Sequence, residues 1–227
     1  MSSIVFERVT KRFENGQEAL SEISVEFASG SMTFLTGHSG AGKSTFLRLL
    51  IGAEAVTRGQ IYVDDVDISR LGARRMPWYR RNVGVVFQDH HLLPGHNVFD
   101  NIALPLRIKH FAEREVSSRV RGALGRVELR GKEHLMPGQL STGEQQRVGI
   151  ARAVVGRPKI LLADEPTGNL DPDLARSVME LFCQFNELGT TVVIASHDIG
   201  LIESMQTPTL NLTAGRIATV NGDLNAS

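Results

Sequence analysis

Nine consecutive residues carry the most specific chemistry in this chain: Gly37, His38, Ser39, Gly40, Ala41, Gly42, Lys43, Ser44 and Thr45. They match G-x-x-x-x-G-K-[S/T], a glycine-rich turn whose backbone N–H groups curl inward around phosphate oxygens. A helix opening directly behind such a turn adds its partial positive charge at the same place. Lys43 has the reach for β- and γ-phosphates, and the Ser44 hydroxyl suits Mg²⁺. The flanks fit the pattern. Ser31-Met32-Thr33-Phe34-Leu35-Thr36 reads as a short apolar strand and Phe46-Leu47-Arg48-Leu49-Leu50-Ile51 as a buried helix. Strand, glycine loop and helix in that order imply a nucleoside triphosphate site.

Three more polar groups stand where apolar, strand-length runs stop. Val83-Gly84-Val85-Val86-Phe87 ends at Gln88, Ile160-Leu161-Leu162-Ala163 runs into Asp164-Glu165-Pro166, and Thr190-Thr191-Val192-Val193-Ile194-Ala195 ends at Ser196-His197-Asp198. In open parallel sheets ligands lie beyond the carboxyl ends of the strands, so these groups converge on the phosphate loop. Asp164 is placed to hold Mg²⁺, directly or through water. Glu165, one residue further out, can polarise a water for in-line attack on the γ-phosphorus, and His197 can contact the γ-phosphate. Phe13 precedes a turn at Asn15-Gly16; as an aromatic it serves either the core or a purine ring.

The elements that must position these groups read as α/β. Ile4 to Thr10 and Ala19 to Phe27 alternate around Asn15-Gly16 and predict an antiparallel pair. Gly59-Gln60-Ile61-Tyr62-Val63-Asp64-Asp65 predicts another strand and turn, and the basic stretch from Arg74 to Arg81 a solvated helix face. From Gln88 to about Met136 the pattern turns helical, with Val116, Val120, Leu124 and Val127 on one face, as an insertion between parts of a parallel sheet. A helix is expected over residues 141–155. A further helix after Pro172 carries the stripe Leu174, Val178, Leu181, Phe182, Phe185 and Leu188, with Cys183 pointing away from it. A hairpin around Ala214-Gly215 and a short polar tail close the chain.

Composition sets outer bounds. The 227 residues carry 25 basic and 25 acidic side chains, so no global basic field favours nucleic acid. A single cysteine, Cys183, excludes an intrachain disulfide and suits a reducing compartment. No stretch approaches the roughly 18 uninterrupted apolar residues of a membrane span, and the first residues lack a signal-peptide layout. The expectation is a cytoplasmic protein that meets a membrane only through a partner.

Leu140-Ser141-Thr142-Gly143-Glu144-Gln145-Gln146 resembles the signature motif of ATP-binding cassette (ABC) ATPases, usually written L-S-G-G-x-Q. Asp164-Glu165-Pro166-Thr167, the following Asn169-Leu170-Asp171, Gln88 and His197 fall at matching positions, and the resemblance covers essentially the whole chain. It implies one cassette domain over residues 1–227: a parallel core sheet, an N-terminal antiparallel β subdomain and a helical signature subdomain at about 89–156. It implies Glu165, His197 and Gln88 as catalytic residues and Ser44, Gln88 and Asp164 as Mg²⁺ ligands. Nucleotide contacts would come from Phe13, residues 37–45, Ser141, Gly143, Glu144 and Asp171. In this family the signature helix of one subunit covers the nucleotide on the other's phosphate loop, so two copies meet head to tail in a closed dimer. Thr142 departs from the usual glycine and adds a side chain near that contact, while Phe13 stands where the family often has tyrosine.

Within the family, Val85-Val86-Phe87-Gln88-Asp89-His90-His91-Leu92-Leu93, Val98 to Leu106 and Gly149 to Val155 resemble the branch that serves bacterial cell division. That likeness implies an integral membrane partner of the FtsX type, regulation of septal peptidoglycan hydrolysis and peripheral attachment to the inner face of the inner membrane. Other division-site proteins are then candidate partners, and nucleic acid is not. The alternative is the ATPase of a lipoprotein-releasing or macrolide-export system, which shares Asp164 to Asp171. A small-molecule kinase would leave Leu140 to Gln146 unexplained. The apolar, loop-like Leu92-Leu93-Pro94-Gly95 is the expected docking segment for the membrane partner.

Overall fold

The computed structural model describes residues 3–168, 170–222 and 224–226. Two sheets sandwich one helix. In the first sheet, β1 (Ile4–Arg12) and β2 (Glu18–Phe27) pair antiparallel, as the alternation predicts, around a turn closed by Gly16 N–H donating to Phe13 O at 2.9 Å. β4 (Arg58–Val63) and β5 (Val66–Asp67) extend one side. On the other side β11 (Asn225–Ala226) pairs with β2, so the expected polar tail is a short edge strand. Its two residues carry no strand-length pattern; pairing with β2 is what makes them a strand.

The second sheet has the order β10-β9-β3-β8-β7-β6. It comprises β3 (Met32–Thr36), β6 (Val83–Val86), β7 (Ile160–Asp164), β8 (Thr191–Ala195), β9 (Thr209–Thr213) and β10 (Arg216–Asn221), all parallel except the β9–β10 hairpin. Successive residues alternate faces, and both faces are covered. Phe34, Leu161, Ala163, Val192 and Ile194 pack under one set of helices, while Leu35, Ile160, Leu162, Val193 and Ala195 pack toward the first sheet. Two buried faces explain why these strands read as continuous apolar runs.

The sandwiched helix is α1 (Lys43–Leu50). Its Phe46 ring stacks on Phe6 at 4.2 Å between centroids and meets Phe27 edge-on at 5.9 Å. All three rings are fully buried or nearly so, each stabilising the junction by roughly 1.5–3 kcal/mol through loss of apolar surface to water. The helix behind the phosphate loop is thereby locked between two sheets.

Helices on the opposite face of the core sheet share one core with it: α3 (Val98–Ile108), α4 (Glu113–Arg126), α5 (Thr142–Val154) and α6 (Pro172–Glu187). Val116, Val120, Leu124 and Val127 are all buried, as their spacing predicts. The region from Gln88 to Met136 is not continuously helical, however. Residues 88–97 form a loop, because Pro94-Gly95 interrupts the pattern and Asn97 then caps α3 by accepting the Asp100 N–H at 2.8 Å. Leu92 of that loop packs against the core, which corrects the expectation of an apolar pair facing outward; Leu93 is 36% exposed.

α2 (Met76–Arg80) buries no residue, matching its basic sequence. In α6 (Pro172–Glu187) the stripe is buried from Val178 to Phe185, but Leu188 is 73% exposed. The helix stops at Glu187, and Gly189 at φ +92° turns the chain away before Leu188 can reach the sheet. Cys183 is partly buried and packs against the core, so it does not point clear of the stripe as expected. α7 (Ile199–Met205) follows β8. Among the described residues no helix is long and apolar enough to cross a membrane.

Candidate active site

The phosphate loop leaves β3 between β8 and β9 and turns into α1. Two of its glycines are required by space as well as by conformation. Gly37 sits at φ +138°, where a Cβ would press into the Leu212 carbonyl. Gly42 sits at φ +110°, with a Cβ position 2.7 Å from both Ala19 O and Leu20 Cδ2. Gly42 gives α1 no side-chain cap, so the first amides of that helix lack the partner that most helices supply for themselves. The β9–β10 hairpin braces the loop from behind: Gly215 N–H donates to Ala41 O at 3.1 Å, and Ser21 N–H to Gly215 O at 2.8 Å.

Lys43 is buried at the floor of this loop. Its Nζ donates to Gly37 O at 2.7 Å and His38 O at 3.4 Å, and lies 3.7 Å from Glu165 Oε1. β7 delivers Asp164 and Glu165, β8 delivers His197 and β6 delivers Gln88, so the four strand ends converge as expected. With Phe13 and residues 37–45 they line one cleft of about 1140 Å³.

Asp164 and Glu165 are set up differently. Burial pushes the Asp164 carboxyl above the ordinary range, a shift opposed chiefly by a hydrogen bond with Ser44. That bond puts a hydroxyl and a carboxylate side by side, a hard oxygen pair of the type Mg²⁺ uses alongside phosphate. Glu165 is in the left-handed region at φ +48°, uncommon for a residue with a side chain, and its N–H donates to Ala195 O at 2.9 Å. Its carboxylate lies between Lys43 and His197, whose Nδ1 is 2.9 Å from Oε2. The Glu165 side chain is 12% exposed and that of His197 69%. A carboxylate held at the rim of a phosphate site by two nitrogen groups is positioned to accept a proton from water there.

The other expected nucleotide contacts lie elsewhere. Ser141, Gly143 and Glu144 are at the N-terminus of α5, and Asp171 caps α6 by accepting the Leu174 N–H at 3.0 Å; none of the four lines the cleft. At α5, Ser141 Oγ accepts the Glu144 N–H at 3.3 Å while Glu144 Oε2 accepts the Ser141 N–H at 2.8 Å, a reciprocal capping box. Lys132 donates to Glu144, and this bond, followed by the Ser141 amide, holds the carboxyl at about 2. Asn169, expected beside Asp171, lies outside the described residues.

The cleft also has walls that sequence reasoning missed. Gln17, Glu18 and Ala19 line it near Phe13. On the far side stand Thr36, Gln206, Thr209 and Asn211, with Asn211 Nδ2 donating to Thr36 Oγ1 at 3.0 Å. No local pattern marks Thr209 and Asn211, because they reach the cleft only through the pairing of β9 with β3.

A glycine loop at the end of a parallel strand, carboxylates two strands away and a histidine on the strand between make up a phosphate-loop ATPase site, and the chain belongs to the ATP-binding cassette ATPase family. The ABC transporter family model matches residues 20–168. The cell division ATP-binding protein FtsE of Escherichia coli K12 is 49% identical over 214 residues, covering 94% of this chain and 96% of the relative. FtsE of Mycobacterium tuberculosis is 43% identical, covering 94% of each chain, and FtsE of Bacillus subtilis 41%, with the same coverage. Among solved structures, a dimeric post-hydrolysis state of the ATP-binding cassette MJ0796 bound to ADP and Pi superposes with a TM-score of 0.90 at 32% identity, covering 96% of this chain and 97% of that one. The structure of cbiO1 from Clostridium perfringens, part of the ABC transporter complex cbiONQ, gives 0.87 at 29%, covering 96% and 87%.

Proposed function

We propose that this chain is the ATPase of a cell-division complex on the bacterial inner membrane, working as a head-to-tail homodimer on an integral membrane partner of the FtsX type. The chemistry is carried by one observation: Glu165 held between Lys43 and His197 at the rim of the phosphate loop. The biological setting is supported by 41–49% identity to FtsE proteins over more than nine tenths of the chain. Bound ATP stacks its base on Phe13 and lays its phosphates in residues 37–45. Lys43 exchanges its contacts with Gly37 and His38 carbonyls for phosphate oxygens. Glu165, relieved of Lys43, accepts the proton of the attacking water, and His197 steadies the γ-phosphate side.

Ser44 and Asp164, with Gln88 at the cleft, are the residues that would hold Mg²⁺, which when bound neutralises charge on the phosphates. Ser141, Gly143, Glu144 and Asp171 belong to the second half-site and face the nucleotide of the other subunit. The exposed part of the loop after Gln88, Leu93 to His96, is the docking segment for the membrane protein.

Depletion in the native bacterium tests the setting, because filamentous, undivided cells are expected. Normal division with mislocalised lipoproteins would instead assign the chain to lipoprotein release. A charge at Leu93 is expected to abolish co-purification with the membrane partner while ATP binding by the isolated cassette persists.

A further inference from the structure

The loop after Gln88 is fastened to the helices at both ends. At the far end the fully buried Asn101 accepts the Leu93 N–H at 2.8 Å and donates to the carbonyls of Leu93, His96 and Asn97 at 3.1, 2.9 and 3.0 Å. At the near end Arg152 of α5 donates to His91 O at 2.7 Å and His90 O at 2.6 Å. Those two histidines sit in the left-handed region, at φ +58° and +44°. Neither is glycine, so the conformation is held by its surroundings. Loop and helices are in this way one mechanical unit.

A buried side chain joins that unit to the catalytic strand end. Gln146 of α5 is 2% exposed, and its Nε2 donates to Pro166 O at 2.7 Å. Pro166 immediately follows Glu165. A backbone carbonyl only accepts, so the Gln146 amide must turn its nitrogen toward Pro166 and its Oε1 the other way. Oε1 meets His90 Nδ1. An amide oxygen likewise only accepts, which fixes the proton of His90 on Nδ1. The bonds therefore run in one direction, from His90 Nδ1–H to Gln146 Oε1 and from Gln146 Nε2–H to Pro166 O.

We propose that Gln146 is a positioning residue for Glu165, and that through His90 it ties the placement of the base to the placement of the loop after Gln88. Glu165 gains nothing chemical from this relay. What the relay sets is where the strained Glu165–Pro166 backbone stands, and small misplacements of a reacting group are costly. Displacing the loop strains or breaks the His90–Gln146 bond and lets Glu165 drift from the attacking position. Gln146 touches none of the cleft, so nucleotide affinity is outside its reach.

The inference rests on Glu165 being the base, which Glu165→Gln tests by itself; the relay is tested by other variants of the isolated full chain. His90→Ala and Gln146→Leu are each expected to lower kcat for ATP hydrolysis about tenfold with KM within about twofold, a positional loss near 1.4 kcal/mol. Because both act through one path, the double variant is expected to be no slower than the worse single variant. His90→Asn, whose amide N–H falls near the Nδ1 position, restores kcat; His90→Gln, which mimics the other ring nitrogen, does not. A merely structural histidine would not separate those two. The proposal is overturned by an unchanged kcat in His90→Ala, by losses that multiply in the double variant, or by equal rates in the Asn and Gln variants. If Gln146→Leu fails to fold, the three variants at half-buried His90 decide the matter.

Discussion

Two helices of this chain open at motifs of the cassette family, and they open in opposite ways. α1 begins at Gly42-Lys43 with no side-chain cap, no acidic residue in its first turn and a lysine folded against its own loop. α5 begins at Ser141 with a complete capping box and an acidic residue, Glu144, in the first turn. At α1 the Lys43 ammonium rests on two loop carbonyls beside Glu165. At α5 the Ser141 and Glu144 groups already satisfy one another, and beside them lies the small Gly143. In the proposed dimer the first is the site and the second a lid element that closes over phosphates bound to the other subunit. Thr142 adds to the exposed surface of that lid, whereas a side chain at Gly143 would press into Leu174.

The sharpest way to break this contrast is at the carboxylate of the first site. Glu165→Gln is expected to lower kcat by about 10² to 10⁴, the usual worth of a positioned base, with ATP binding retained. Stopped-flow or steady-state hydrolysis checks it, and a parental rate would remove Glu165 from the mechanism. Next in size, Lys43→Ala removes the charged donor of the phosphate loop. A loss of affinity of about 10- to 100-fold is expected from one or two charge-assisted hydrogen bonds, measured with fluorescent ATP while circular dichroism reports an intact fold.

Smaller effects belong to α5. Ser141→Ala removes one half of the capping box and is expected to cost about 1 kcal/mol of stability in a urea titration. Glu144 gives the least effect and a pH signature. Its folded carboxyl is depressed from 4.5 to about 2, chiefly by Lys132. A depressed carboxyl stabilises the fold above its unfolded value and ceases to do so as pH falls through the folded one. The urea midpoint of the parent is therefore expected to exceed that of Glu144→Gln above about pH 4.5 and to converge with it as pH falls toward 2. A gap independent of pH would mean that the ion pair with Lys132 does not hold Glu144 in solution.

The two regions also differ in how far they could be read from sequence. The phosphate loop is a local pattern between a strand and a helix, and residues 37–45, Gln88, Asp164, Glu165 and His197 meet in the cleft as the strand ends suggested. Apolar runs and stripes gave the core sheet and the buried faces of α4 and α6. What failed was non-local. β11 exists only by pairing with β2, and Leu188 escapes the core because its helix stops one residue earlier, whereas Leu92-Leu93-Pro94-Gly95 is a loop as read. The cleft wall at Thr36 and Asn211 depends on β9 lying beside β3, and Gln146 has no visible partner until α5 is packed against Pro166.

The central claim is that one chain holds halves of two different sites. The direct measurement is the molar mass, by light scattering, of Glu165→Gln with saturating ATP, alone and combined with Ser141→Arg. The account predicts twice the 24.9 kDa chain mass for Glu165→Gln. It predicts a monomer for the combined variant, even though that variant still binds ATP in its own phosphate loop. A combined variant that dimerises as readily as Glu165→Gln, or a Glu165→Gln protein that stays monomeric with ATP bound, would contradict it.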